Sequence, residues 1–96
     1  MEIKVISSTE KILIMDIEGE DISILEIVRH ELLKDNHVIF AGVIEQHPLL
    51  KKLTMRVQTK NIEPLNVLIS SCSKAIEKSS ELLSEMKKIL IERGAS

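Results

Sequence analysis

The sequence predicts an α+β fold, with one four-stranded antiparallel sheet and two helices on one face, in the order β-β-α-β-β-α. Three observations carry this. Short runs rich in Ile, Val and Leu occupy residues 2–6, 11–18, 37–46 and 53–59, several with strict apolar/polar alternation. After the second run, and again after the fourth, the apolar period lengthens to that of a helix. Polar or turn-forming residues (Ser7-Ser8-Thr9, Gly19, Asp35-Asn36, His47-Pro48, Lys60-Asn61) separate the segments. At 96 residues, without repeats, linkers or low-complexity tracts, residues 1–96 are expected to form one domain.

The first run places Ile3 and Val5 on one face. The second, Lys-Ile-Leu-Ile-Met-Asp-Ile-Glu, is close enough to pair with it as a hairpin. Over 21–34, Ile22, Ile24, Leu25, Val28, Leu32 and Leu33 gather on one broad side of a helical wheel. Ser23 and Glu26 have capping-box spacing, and Asn36 suits a left-handed stop. Ile27 falls on the polar side, which marks it for contact outside the domain. In the third run Pro48 ends strand pairing. The fourth alternates cleanly, with Leu53, Met55 and Val57 inward.

From about 63 to 93 the sequence reads as one helix, opened by Pro64 and closed by Gly94. Such a helix is ~45 Å long, whereas a domain of this size is ~30–35 Å across. It should therefore overhang its own sheet. Leu65, Ile69, Cys72, Ile76, Ser79, Leu83, Met86 and Leu90 form a heptad seam, flanked by Leu68, Ala75, Leu82 and Ile89. A seam this wide predicts a dimer interface, with the first helix recruited as well.

Composition excludes several function classes. Thirteen basic residues against fifteen acidic ones give a net charge of −2, which argues against a dedicated nucleic-acid binder. Phe40 is the only aromatic, too few for base stacking. Cys72 is the single cysteine, so no intrachain disulfide forms and no multi-cysteine zinc pattern exists. His30, His37 and His47 come from separate elements without ligand spacing, and Glu18, Glu20 and Asp21 read as a solvated acidic turn. Cys72 in the seam reads as an inert thiol. Three glycines cannot build a phosphate-binding loop or nucleophile elbow. No catalytic residue, metal or cofactor is expected. The N-terminus lacks a signal-peptide pattern, and no run is long enough to span a membrane, so a cytoplasmic protein is expected.

Taken together, Met1-Glu2-Ile3-Lys4-Val5-Ile6, Ile17-Glu18-Gly19-Glu20-Asp21 and Glu31-Leu32-Leu33-Lys34-Asp35 resemble subunit L of archaeal RNA polymerase. Val38, Phe40, Ala41 and His47-Pro48-Leu49 match that family's third strand and following turn, and the similarity covers about residues 1–92. One stretch departs: where the family has His-Thr-Leu-Gly-Asn, this chain has Ile22-Ser23-Ile24-Leu25-Glu26. The resemblance implies a non-catalytic subunit of DNA-directed RNA polymerase that heterodimerises with the polymerase's D-type subunit. That pair is similar to the bacterial α-subunit dimer and forms the assembly platform for the large catalytic subunits, joined by subunits N and P. The partner-binding residues so implied are Ser23, Ile24, Leu25, Ile27 and Val28 of the first helix. In the last helix they are Leu65, Ile69, Cys72, Ile76, Leu83, Met86 and Leu90. The altered Ile22–Glu26 stretch keeps one rival in view, a stand-alone dimerisation module outside polymerase; a less favoured third reading is a small ferredoxin-like enzyme or ligand binder.

Overall fold

The computed structural model describes residues 2–76 and 81–92. Strands β1 (Glu2–Ser8), β2 (Ile12–Glu18), β3 (Val38–His47) and β4 (Lys52–Thr59) form one antiparallel sheet in the order β1-β2-β4-β3. Helix α1 (Ile22–Leu32) lies between β2 and β3 in the chain, and a 3₁₀ turn (Pro48–Leu50) joins β3 to β4. Helices α2 (Pro64–Ile76) and α3 (Glu81–Glu92) follow.

The β1–β2 hairpin is closed by Thr9, whose Oγ1 accepts from the backbone N–H groups of Lys11 (3.2 Å) and Ile12 (3.0 Å). A bulge between Val5 and Ser7 shifts its register. Strand β4 inserts between β2 and β3, pairing Met15 with Met55 on one side and Val43 with Met55 on the other. The two edges of the sheet are therefore β1 and β3. Gly19, with φ 88°, makes the turn out of β2, a backbone conformation open to glycine at little cost. Asn61 (φ 69°) and Lys51 (φ 50°) take the left-handed region in the two turns flanking β4.

Alternation then decides the faces. Leu13, Met15 and Ile17 of β2, Leu53, Met55 and Val57 of β4 and Ala41 of β3 are buried under the helices, together with Leu25, Val28, Leu32, Leu65, Val67, Leu68, Cys72 and Met86. Thr59 is buried too, and its hydroxyl donates to the carbonyl of Ile62. The opposite face carries exposed Ile6, Phe40 and Ile44 beside a polar group, in which Thr54 donates to Asp16 (2.9 Å) and Gln46 donates to Thr54.

The α1 start differs from the capping box read from the sequence. Asp21 is the N-cap, and its carboxylate accepts from the backbone N–H and the hydroxyl of Ser23, each at 2.9 Å. Ser23 already lies inside the first turn, so its hydroxyl serves the cap instead of being one. At the other end α1 closes on Leu33 in right-handed geometry, and Asn36 does not take the left-handed conformation assigned to it. Instead Asp35 accepts from the backbone N–H of His37 at 2.8 Å and forms the turn into β3.

These backbone hydrogen bonds, from Ser23 to Asp21 and from His37 to Asp35, hold both carboxyls below their ordinary value of 3.8. A depressed folded-state pKa gives stability that is present above pH 3.8 and lost as pH falls through the folded value. Asp21→Ala is accordingly expected to lower the thermal midpoint at pH 7. The gap from the parent should narrow progressively below pH 3.8, as read by circular-dichroism melts.

The largest correction concerns the C-terminal third. The single overhanging helix expected over 63–93 is two helices, α2 and α3, with residues 77–80 between them outside the described residues. A straight helix over 64–92 would be ~43 Å long, and the longest dimension of the molecule is 37 Å. Helix α3 turns back to pack on α2 and on edge strand β1. The physical reason is coverage: α1 lies over β3, and α2 lies over β4 and β2. That leaves Ile3 and Val5 of β1 needing an apolar lid, which α3 supplies with Met86 and Ile89.

Candidate partner-binding surface

Helices α1 and α2 pack side by side, and their outer surfaces leave a shallow groove lined by Glu26, Ile27, His30, Glu31, Lys34, Lys74 and Ala75. Ile27 and Ala75 are its apolar lining residues, and Ile27 is 48% exposed. The 3.6-residue period puts Ile27, His30, Glu31 and Lys34 on one stripe, away from the Leu25–Val28–Leu32 stripe that enters the core. Two ion pairs border the groove: Arg29 with Glu26 at 3.2 Å and Lys34 with Glu31 at 3.2 Å, each one helical turn apart. Both are solvated and contribute little to stability. They do hold long side chains along α1, on the helix that carries the exposed Ile27. An exposed apolar side chain among charged neighbours in a helix–helix groove suits contact with an amphipathic helix.

The residues expected at a partner interface divide into three groups. Ile27 is exposed in the groove, and Ser23 is exposed at the start of α1. Ile24 and Ile69 are half-buried against the core. Leu25, Val28, Leu65, Cys72 and Met86 are fully buried in the chain's own core. The side chains of Ile76, Leu83 and Leu90 lie outside the described residues. Periodicity could not separate these groups, because a stripe facing the sheet and a stripe facing a partner have the same spacing.

Lys74 and Glu31 were not assigned to an interface from the sequence, yet they line the groove beside Ile27, together with Ala75 of the row flanking the seam. The available signal was Ile27 itself, an apolar residue on a polar stripe, from which its i+4 neighbour Glu31 follows.

Several of the candidate chemical groups take part in local structure. Nδ1 of His37 lies 2.9 Å from the Asp35 carboxylate, and His30 is exposed on the groove. Nothing is described of the His47 side chain. Glu20 accepts from the Asp21 N–H at 3.0 Å, and Asp21 caps α1, so the acidic turn serves the helix start. Among the described residues no three metal-ligating side chains converge, and no helix is long and apolar enough to cross a membrane. Burial pushes the Cys72 thiol up to about 11. Cys72 is therefore expected to resist a thiol reagent at pH 8 in the native protein and to react at once in denaturant. Rapid native labelling, read by the absorbance of the released aryl thiol, would contradict its place in the core.

Residues 13–85 match the family model described as the RNA polymerase Rpb3/Rpb11 dimerisation domain. The chain is 31% identical over 85 residues to DNA-directed RNA polymerase subunit Rpo11 of Methanothrix thermoacetophila, covering 88% of this chain and 93% of that one. To the subunit of the same name from Thermococcus onnurineus it is 34% identical over 95 residues, covering 96% of this chain and 100% of the other. The fold is shared with the crystal structure of DNA-directed RNA polymerase subunit L from Thermoplasma acidophilum (TM-score 0.70, 20% identity, 99% of this chain and 94% of that one). The exposed helix groove thus stands on a domain whose relatives are small polymerase subunits, and the chain belongs to the RNA polymerase Rpb3/Rpb11 dimerisation family.

Proposed function

We propose that this chain is a non-catalytic subunit of a DNA-directed RNA polymerase of the L type, acting in the cytoplasm as one half of a heterodimer with a D-type subunit. The pair serves as the assembly platform on which the large catalytic subunits dock, with subunits N and P joining the same subassembly. The observation that carries the reading is Ile27, an apolar side chain left exposed between two ion pairs in the α1–α2 groove of a dimerisation-family domain. Its chemistry suits a helix from another chain. Net charge supports the same reading: at −2 the chain has no basic excess with which to hold nucleic acid, so its contribution lies in protein contacts.

The test is direct. Purified chain is mixed with a purified D-type subunit, and the mass of the product is measured by native mass spectrometry. A 1:1 complex is expected. Two separate species at micromolar concentration would overturn the pairing. Recovery from native extract without polymerase subunits would favour a dimerisation module outside polymerase, the alternative that the Ile22–Glu26 departure motivates.

A further inference from the structure

The two edges of the sheet are finished differently. Strand β1 carries Glu2 and Lys4, and α3 packs on it. Strand β3 carries no lysine, arginine or proline, and Glu45 is its one acidic residue. Charges and prolines are the usual guards of an edge strand, so β3 is the less guarded of the two.

Hydrogen bonds at the end of β4 fix which backbone groups of β3 face outward. The Lys60 N–H donates to the His37 carbonyl at 2.9 Å, and the Thr59 N–H donates away from β3, to Lys11 at 2.8 Å. Val38 and Thr59 are therefore a non-hydrogen-bonded pair. Along the ladder, Phe40, Gly42 and Ile44 then bond to β4, opposite Gln58, Arg56 and Thr54. The N–H and C=O groups of Ala41, Val43 and Glu45 point to the open side. Ala41 is buried, Val43 is half-buried and Glu45 is exposed, so the accessible edge is the second half of the strand.

That half leads into the 3₁₀ turn, where Leu49 is 89% exposed and Leu50 is exposed beside it. Ile44 is an exposed apolar residue of the same strand. Lys51 and Lys52 follow the turn, both exposed. Over residues 38–60, four basic side chains (Lys51, Lys52, Arg56, Lys60) stand against Glu45, a net of +3. Over residues 2–18, four acidic side chains stand against two basic ones, a net of −2. The β3–β4 half is thus the positive half of the sheet.

These features select an occupant. Outward N–H and C=O groups at strand spacing take an extended chain. Ile44 and Leu49 call for apolar side chains on it, and Lys51 and Lys52 for carboxylates. A second copy does not fit, because α1 lies over β3 and the copy would bring its own. Paired strands lie ~4.8 Å apart, whereas packed helices need ~8–10 Å. A lone strand brings no such layer.

We propose that the β3 edge at Val43–Glu45, with the Leu49 turn, docks an extended acidic and apolar segment of a large catalytic subunit by strand addition. This rests on the assembly-platform reading above. It leaves the α1–α2 groove to the D-type subunit, and it gives the His47-Pro48-Leu49 turn a role, the presentation of Leu49.

The experiment uses the chain paired with a purified D-type subunit, immobilised and titrated with the purified large catalytic subunits by interferometry. Leu49→Asp alters an exposed side chain, so the thermal midpoint and the D-type pairing should stay at parent values. Affinity for the large subunits should fall at least ~10-fold. Val43→Pro removes an N–H that makes no bond to β4 and should have the same effect. Hydrogen exchange at single-residue resolution reads the edge itself. The Val43 and Glu45 amides should exchange fast in the pair and slow on docking, with Ile44 slow throughout. Parent affinity for Leu49→Asp with unchanged exchange at Val43 and Glu45 overturns the docking edge and leaves the platform reading intact. Weaker binding without slowed exchange overturns strand addition. If Val43→Pro does not fold, Leu49→Asp and the exchange decide. Failure of the parent pair to bind the large subunits overturns the platform reading, and the edge falls with it.

Discussion

Ile27→Lys should abolish pairing with a D-type subunit while leaving the fold intact. Ile27 lines the α1–α2 groove at 48% exposure, so the free chain loses little when it is replaced. Lysine is the informative choice because Glu31 lies four residues on and can pair with it, so the helix itself is not penalised. In a complex the same ammonium would be taken out of water against an apolar helix. A central interface residue of this kind is worth ~2 kcal/mol or more, a loss of at least ~30-fold in affinity. Ile44→Lys, on the opposite face of the sheet, is the matched control and should bind as the parent does. Titration calorimetry decides. Parent affinity for Ile27→Lys would place the interface elsewhere.

Leu25→Gly should cost more than any surface change. This substitution restores the glycine of the subunit L pattern at the position where the present sequence departs from it. Leu25 is fully buried in the main cluster, on the stripe of α1 that faces the sheet. Deleting a buried leucine side chain costs ~2–5 kcal/mol, and glycine in a helix interior adds ~1 kcal/mol. The sum, about 4 kcal/mol, is a large part of the ~5–15 kcal/mol that holds a domain of this size. The thermal midpoint should fall by ~15–30 °C at 4–8 °C per kcal/mol. A fall of only a few degrees in a calorimetric scan would mean that the core closes over the gap. The departure thus has a physical content: in this chain the first turn of α1 contributes to the core at Leu25, and the surface offered outward begins at Ile27.

Local chemistry made most of the fold legible in the sequence. Alternation in 53–59 identified the inward residues of β4, and the stop at His47-Pro48 coincides with the end of β3. Gly19 ends β2 for the reason glycine usually does. Three things were not legible. Strand order was one: β4 sits between β2 and β3, and pairing between segments remote in sequence leaves no local mark. The second was the cap of α1. Asp21 and Ser23 are both good capping residues, and the choice between them depends on where the turn after Gly19 points the chain. The third was the division of the C-terminal segment. Its helical pattern is continuous, so only the three-dimensional need to cover Ile3 and Val5 reveals that α3 folds back. The candidate site was legible at one residue, Ile27, because it alone broke the pattern of its stripe. The buried members of the seam were not separable from it by spacing, since burial against self and against a partner impose the same period.

Phe40 has a practical consequence of a different kind. Its ring lies over Gly42, where an added Cβ would come within 2.8 Å of Cζ, and 5.9 Å from the guanidinium of Arg56. It is the sole aromatic of a chain with no tryptophan or tyrosine. The protein is therefore almost dark at 280 nm and has no indole emission. Whatever tyrosine or tryptophan fluorescence changes when it meets another chain must come from that other chain. The near-ultraviolet dichroism of the free protein, in turn, reports one ring on the sheet face turned away from the helices. The molecule thus arrives already divided into a silent helical side and a single optical probe behind it, so its association can be followed without attaching a dye.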